Sequence, residues 1–228
     1  MDRETLIKAV NDRHSVRKYL DLPITDELID KLNEEIDFCN HSGNLSIKLV
    51  INDEQAFSGF MSGYGKFINV KNYFVMAGNR SVDLHERIGY YGQRLVLTAQ
   101  ALGLNTCWVA LNYSKKKCPV KLENGEKLVC VIAVGYGQTQ GKERRSKPIE
   151  SLYRTLDGFA PPKWFIDGVR CAMKAPTAIN QQQFYFVLDG NSVIAKSKFG
   201  FYSKLDLGIV KYHFEIGAGT ENFVWKLS

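Results

Sequence analysis

The feature that most constrains this chain is a periodic segment opened by Ser81 and stopped by Gly103. Within it Leu84, Ile88, Tyr91, Leu95, Ala99 and Leu102 recur every three or four residues, the spacing that lines one face of a helix. Roughly twenty helical residues span about 30 Å, the width of a small domain. The rest of the fold must therefore be built around this rod.

Two runs that follow the rod, Cys107–Leu111 and Leu128–Val134, are apolar and β-branched between polar turns, which predicts central strands. Upstream, Tyr73–Ala77 reads as a short buried strand and Ser46–Ile51 alternates as a half-buried one. Leu6–Asn11 predicts a short helix. Thr25 is placed to cap another, with Asp26 and Glu27 at its positive end and Leu28, Leu32 and Ile36 on its apolar stripe, before a turn at Asn40–Asn44. Downstream, Gln138–Lys147 is polar and basic, and Ala160-Pro161-Pro162 breaks the chain. A helix at Ile166–Met173, a loop at Ala175–Gln182, a strand at Phe184–Leu188, a turn at Asp189-Gly190-Asn191 and a last helix from Lys204 to Ala218 complete the pass. The mixture predicts an α+β fold with a central long helix and antiparallel or mixed sheets. A chain of 228 residues that is 45% hydrophobic is enough for one generous domain or two small ones and can bury a sizeable core.

A faint internal echo runs through this order. Ile29-Asp30 recurs as Ile166-Asp167, and the same offset lays Ile47–Ile51 on Phe184–Leu188. By itself it is equally an accident of any helix followed by a strand.

Charge and cysteine usage narrow the setting. A net charge of +6 suits nucleic acid, a phosphorylated cofactor or an anionic donor alike. Cys39, Cys107, Cys118, Cys130 and Cys171 are odd in number, widely spaced and free of CxxC pairs, as expected of reduced thiols. Met1–Val10 carries charges without an apolar stretch, and no run is long enough to cross a bilayer, so a cytoplasmic protein is expected. His14, His41, His85 and His213 have no metal-ligand spacing. There is no GxSxG, Walker or GxGxxG motif, and Gly63-Tyr64-Gly65 and Gly135-Tyr136-Gly137 are too short for dinucleotide loops.

Three segments carry candidate chemistry. Arg13-His14-Ser15-Val16-Arg17 offers two guanidinium forks and a hydroxyl, the groups that grip phosphate oxygens. Arg144-Arg145-Ser146-Lys147 repeats that chemistry. In Ala175–Gln182, Pro176 fixes the backbone, Thr177 and Ala178 leave room for a flat ligand, and Asn180 and Gln182 place amides suited to a uracil-like edge. A solvated basic face and an ordinary polar connection share these compositions.

Together, Arg13-His14-Ser15-Val16-Arg17-Lys18-Tyr19, Gly103-Leu104-Asn105-Thr106-Cys107-Trp108-Val109, Arg145-Ser146-Lys147-Pro148 and Ala175-Pro176-Thr177-Ala178-Ile179-Asn180-Gln181-Gln182 resemble the nitroreductase family over most of the chain. The resemblance implies an α+β fold in which FMN lies in a groove between two subunits, one giving the basic motif and the other the Ala-Pro-Ser/Thr loop. This sequence departs from that order. Asn40-His41-Ser42-Gly43-Asn44 stands where the loop would follow, and the recognisable loop lies far downstream, with Ser151-Leu152-Tyr153-Arg154 at the second basic position.

The chain therefore resembles the subgroup called putative TM nitroreductases, a pseudo-twofold duplicated domain with halves of about 1–148 and 149–228 and one complete flavin site. By motif, Arg13, His14, Ser15 and Arg17 would hold the phosphate and ribityl end, closed by Arg145 and Lys147. Lys66 would lie near the pyrimidine ring. Pro176, Thr177, Ala178, Asn180 and Gln182 would frame the isoalloxazine, and Trp108, Val109 and Ala110 would lie along its other side through their backbone. The implied activity is electron transfer from NAD(P)H to a small oxidised acceptor such as a nitroaromatic or quinone, with no obligatory catalytic side chain and no metal. The implied partner is that small molecule, with no nucleic acid and no membrane, on a monomeric pseudo-dimer or a homodimer. A non-enzymatic flavin carrier or redox sensor is the alternative. Salt-sensitive nucleic-acid binding without flavin would mark a third class.

Overall fold

The structure, a computed structural model, describes residues 1–58 and 67–226. The chain separates into two compact units interleaved along the sequence, one made of Asp12–Leu84 and Arg94–Glu143, the other of Met1–Asn11, His85–Gln93 and Arg144–Ser228.

The first unit is built on a four-stranded antiparallel sheet. Its strands are β1 (Lys48–Val50), β2 (Tyr73–Asn79), β3 (Asn105–Val109) and β4 (Glu126–Gly135), in the order β1-β2-β4-β3. Register pairs Phe74 with Ile132 and Cys107 with Ala133, and a bulge falls between Met76 and Ala77. The inner strands β2 and β4 are buried over nearly their whole length, because both faces are covered, which explains their continuous apolar runs. The predicted central position of the Cys107 strand needs correction, since β3 lies at the sheet edge. An apolar run reports burial on two faces, not a neighbour on each side.

Helix α1 (Arg3–Asp12) precedes helix α2 (Asp26–Gly43), which buries Leu32, Ile36 and Cys39. The Asn40–Asn44 turn is corrected: the helix runs through Gly43 and stops only at Asn44, which takes the left-handed conformation. Thr25 stands at the cap with extended backbone, but its side chain makes no capping bond. Its carbonyl instead accepts the Leu28 and Ile29 amides. The first strand is also shorter than Ser46–Ile51 predicts.

Helix α3 (Leu84–Ala101) is the rod expected from the periodicity, 18 residues long. It stops before Gly103, whose φ of 82° is the left-handed geometry that glycine adopts without a Cβ penalty.

The second unit holds a mixed sheet of β5 (Tyr153–Thr155), β6 (Phe184–Asp189), β7 (Ser192–Ser197) and β8 (Val224–Trp225). The β6–β7 pair is antiparallel, whereas β5 and β8 join the sheet in parallel. Helix α4 (Lys163–Met173) and helix α5 (Ser203–Ala218) belong to this unit. Helix α5 is buried nearly all round, with its polar Asp206, His213 and Glu215 hydrogen-bonded inside the fold, and Phe165, Phe186, Phe214 and Trp225 pack beside one another. Arg3 donates to the carbonyls of Ile216 and Gly217 at 2.8 and 2.7 Å, placing a cation on the negative end of α5. Within the same unit Gly89 and Gly208 let two backbones meet. A Cβ on Gly208 would collide with the Glu86 carbonyl, and one on Gly89 with that of Leu205.

Candidate functional site

In the first unit the basic motif forms extra backbone pairing against β3 and its surrounding loops. Val16 N donates to Thr106 O at 3.0 Å, Tyr19 N to Ile68 O at 3.0 Å and Leu20 N to Tyr136 O at 2.7 Å. Ser15 and Thr106 form a parallel bridge, and Tyr19 and Gly137 an antiparallel one. Val16 and Tyr19 are buried, while Arg17 and Lys18 between them stay exposed. The Tyr19 hydroxyl donates to Val16 O at 2.7 Å, and burial pushes its phenol far above the usual range.

This threading distributes the predicted phosphate ligands unequally. Arg13 is buried, only 5% exposed, whereas Arg17 is exposed and has no ion pair among the described residues. Ser15 hydrogen-bonds the Cys107 thiol, and the charges of Arg17 and Arg13 both act on it. Burial nevertheless wins and raises that thiol's pKa. Arg13, Ser15 and Arg17 thus all act on the Cys107 thiol, and the His14 side chain lies beside the Gly141 backbone. Trp108 and Ala110 are half-buried and Val109 is buried on β3 or just beyond it. Lys66 lies outside the described residues.

In the second unit the Ala175–Gln182 loop is held by three charged residues. Arg144, itself half-buried, donates to Lys174 O at 2.9 Å and to Ala175 O. Lys147 N donates to Gln182 Oε1 at 2.7 Å, while Lys147 Nζ donates to Gln182 O at 3.0 Å. The carboxylate of Asp206, on α5, accepts the Ala178 N–H at 3.0 and 3.1 Å and the Gln181 side-chain amide at 3.0 Å. Burial pushes Asp206 up to about 6, opposed by those donors and by the Arg144 charge.

The loop so held is strained. Ile179, Asn180 and Gln182 have φ of 46°, 56° and 46°. For a β-branched residue such as Ile179 the left-handed region is disfavoured on steric grounds.

Pro176 and Thr177 are buried and Ala178 half-buried. Thr177 Oγ1 accepts the Gln182 N–H at 3.1 Å. Asn180 donates to Arg145 O at 2.9 Å, and its Oδ1 has no partner among the described residues. The Gln182 amide is spent inside the loop, on Lys147 and, through Nε2, on Met173 O at 3.1 Å. The Arg145 side chain is exposed and has no ion pair among the described residues. Arg144 was expected only as part of a basic phosphate-gripping cluster, not as a support of this loop, and Asp206 was not among the expected site residues. The available signal was an acid between Leu205 and Leu207 in an otherwise apolar stretch.

Among the described residues no group of His, Cys, Asp and Glu could hold a metal, and no helix is long and apolar enough to cross a membrane. The five cysteines are free thiols.

The two sheets, the rod of α3 and the strained loop define a nitroreductase-like α+β protein. A solved structure from Thermotoga maritima, described as a putative nitroreductase, matches 95% of this chain and 85% of its own at 20% identity and a TM-score of 0.67. A nitroreductase in complex with FMN from Desulfovibrio desulfuricans, also described as putative, matches 68% of this chain and 98% of its own, at 19% identity and a TM-score of 0.53. A Parabacteroides distasonis protein described as a putative NADH dehydrogenase/NAD(P)H nitroreductase covers 67% and 98%, at 20% identity and 0.53. No curated protein matches the sequence. Residues 5–218 match the family described as "Putative TM nitroreductase", and the chain belongs to that family. Membership places it among the oxidoreductases.

Proposed function

We propose that this protein binds one FMN per chain and passes electrons from NAD(P)H to a small oxidised acceptor such as a nitroaromatic or quinone. The observation that carries the reading is the Thr177–Gln182 loop. It keeps three non-glycine residues in left-handed backbone, strain on the order of 1–3 kcal/mol each that persists only where the surroundings enforce it and that concentrates at ligand sites. That loop coincides with one of the two motifs, the other being Arg13–Tyr19, that carry the family resemblance most distinctively.

The residues fit the group. FMN presents a phosphate dianion, for which Arg17 and Arg145 are exposed cations without ion pairs among the described residues. Arg13, His14, Ser15 and Lys147 complete that set. Pro176, Thr177, Ala178 and Asn180 frame the ring, with Gln182 bracing them from within, and Trp108, Val109 and Ala110 contribute backbone. Lys66 is assigned to the pyrimidine edge on the motif alone.

When bound, FMN supplies the hydride and electron chemistry. The protein's own residues bind the phosphate by charge, orient the ring through the preset loop and leave room for a flat donor and then acceptor. The FMN in the Desulfovibrio relative and the NAD(P)H in the Parabacteroides description support the choice of cofactor and donor. Because one chain carries both motifs, we infer a duplicated, pseudo-dimeric domain that acts in the cytoplasm as a monomer or homodimer. Both relatives fit nearly whole onto about two-thirds of this chain, which agrees with that reading.

The test is to saturate the purified protein with FMN, desalt it, quantify flavin and protein, and then add NADH or NADPH without oxygen. About one flavin per chain that bleaches with the nicotinamide and recovers with a quinone is expected. One flavin per two chains would replace the single-chain site by an intermolecular one. Bound flavin that does not bleach would leave a carrier, and no bound flavin would overturn the function.

A further inference from the structure

We propose that Asp206 is a positioning residue, which fixes the shape of the Ala175–Gln182 loop from beneath and so tunes its fit to the flavin ring. This rests on the reading of that loop as part of the FMN site. Asp206 lies in the first turns of α5 and is only 3% exposed. A buried carboxylate in an apolar stretch is costly unless donors satisfy it. Its donors come from the strained segment, the Ala178 N–H and the Gln181 side chain.

Gln181 extends the contact. Its Nε2 also donates to Phe201 O at 2.6 Å, and its Oε1 accepts the Phe201 N–H at 3.3 Å. Asp206 and the Phe201 backbone therefore grip the loop on both sides of Ile179 and Asn180, the residues whose left-handed backbone must be enforced. Arg144 adds a favourable field and holds the loop's beginning through Lys174 O and Ala175 O. At neutral pH Asp206 is mostly ionised, with both oxygens available as acceptors.

Asp206→Asn keeps the shape but exchanges one acceptor oxygen for a donor, which faces the Gln181 or Ala178 donors. Hydrogen bonds to a charged group are worth about 1.5–3 kcal/mol, so the loop's opening equilibrium should rise about tenfold or more.

The measurement is residue-resolved hydrogen exchange of full-length wild type and D206N without FMN, followed by FMN titration and the spectrum of the bound flavin. Expected are faster exchange at Ala178–Gln182 by about tenfold, unchanged protection at Val187 and Leu188 of β6, weaker FMN binding by a similar factor and a shifted flavin band. Unchanged loop exchange, or acceleration spread evenly over β6 and α5, would overturn the proposal by reducing Asp206 to a general stability residue. Should D206N fail to fold, Gln181→Ala removes the loop's side-chain half of the contact, and the same readouts decide. Should the wild type bind no FMN, the functional reading fails while loop exchange still tests the positioning role.

Discussion

Lys147 and Gln182 are bound to each other twice. The Lys147 amide donates to the Gln182 side-chain oxygen at 2.7 Å, and the Lys147 ammonium donates to the Gln182 carbonyl at 3.0 Å. Gln182 is 2% exposed and also reaches Met173 O. Replacing it with Leu leaves the partly buried Lys147 N–H and Met173 carbonyl without those partners, at about 1–3 kcal/mol each. Gln182→Leu should therefore lower stability by about 2–5 kcal/mol, seen as a lower urea midpoint at constant m-value. Lys147→Met loses only its Nζ bond and should cost about 1 kcal/mol.

The close backbone approach at Gly89 and Gly208 tests the same logic by sterics. Alanine in place of glycine inside a helix normally gains about 1 kcal/mol. At Gly208 the added carbon would overlap the Glu86 carbonyl, and at Gly89 that of Leu205, both rigid backbone atoms. Overpacking typically costs about 1–3 kcal/mol, and both helices would have to part here. Either Gly→Ala variant should melt below wild type, and a higher melting temperature would show that the helices can separate freely.

These relationships mark the limit of what the sequence discloses. The 3.6-residue periodicity of Leu84 to Ala99 and the continuous run of β4 report burial of whole faces, so their elements were legible. Asn40–Asn44 reads as a turn because its residues favour turns locally, yet Leu32, Ile36 and Cys39 anchor the helix and carry it through Gly43. Strands β5 and β8 have three and two residues and exist through pairing with β6 and β7, not through propensity. The loop's residues were legible by motif. Its supports were not, because Asp206 and Arg144 act through contacts made across long sequence separations.

Asp206 also gives the protein a pH-dependent stability of definite sign. Its carboxyl rises from an ordinary 3.8 to about 6 in the fold, chiefly by burial. A raised carboxyl favours the native state fully below the unfolded value, and the advantage is lost as pH rises through the folded one. The change amounts to about 2 kcal/mol between pH 4 and 7. Carboxyls lowered in the fold, such as Glu126, slope the opposite way. The informative quantity is therefore the wild-type unfolding free energy minus that of D206N, which should fall with rising pH across this window. A flat difference would mean that Asp206 is hydrated in solution.

Thiol reactivity should separate one cysteine from four. Cys39, Cys107, Cys130 and Cys171 are buried, and burial raises each thiol, Cys39 and Cys171 to about 12. Thiolate is the reactive form. Cys118 alone is half-exposed. Ellman's reagent should modify one thiol of the native protein quickly and all five after denaturation, and Cys118→Ser should abolish the fast phase. A fast phase surviving in that variant would point to Cys107, where Arg13, Arg17 and Ser15 counteract burial.

The two arginines of the basic motif should behave differently when removed. Arg17 is exposed, so Arg17→Ala should leave the urea midpoint within about 0.5 kcal/mol of wild type and weaken FMN about tenfold through loss of a charged phosphate contact. Arg145→Ala should act alike, since its side chain is exposed and only its carbonyl serves the loop. Arg13 is 5% exposed beneath the motif, and Arg13→Ala should lower stability by about 1–3 kcal/mol, as truncation of a buried, packed side chain does. Riboflavin, which lacks the phosphate, provides the control. Its affinity should be nearly the same for wild type, R17A and R145A. A parallel loss of riboflavin and FMN would move both arginines away from the phosphate, and unchanged FMN binding would remove them from the site.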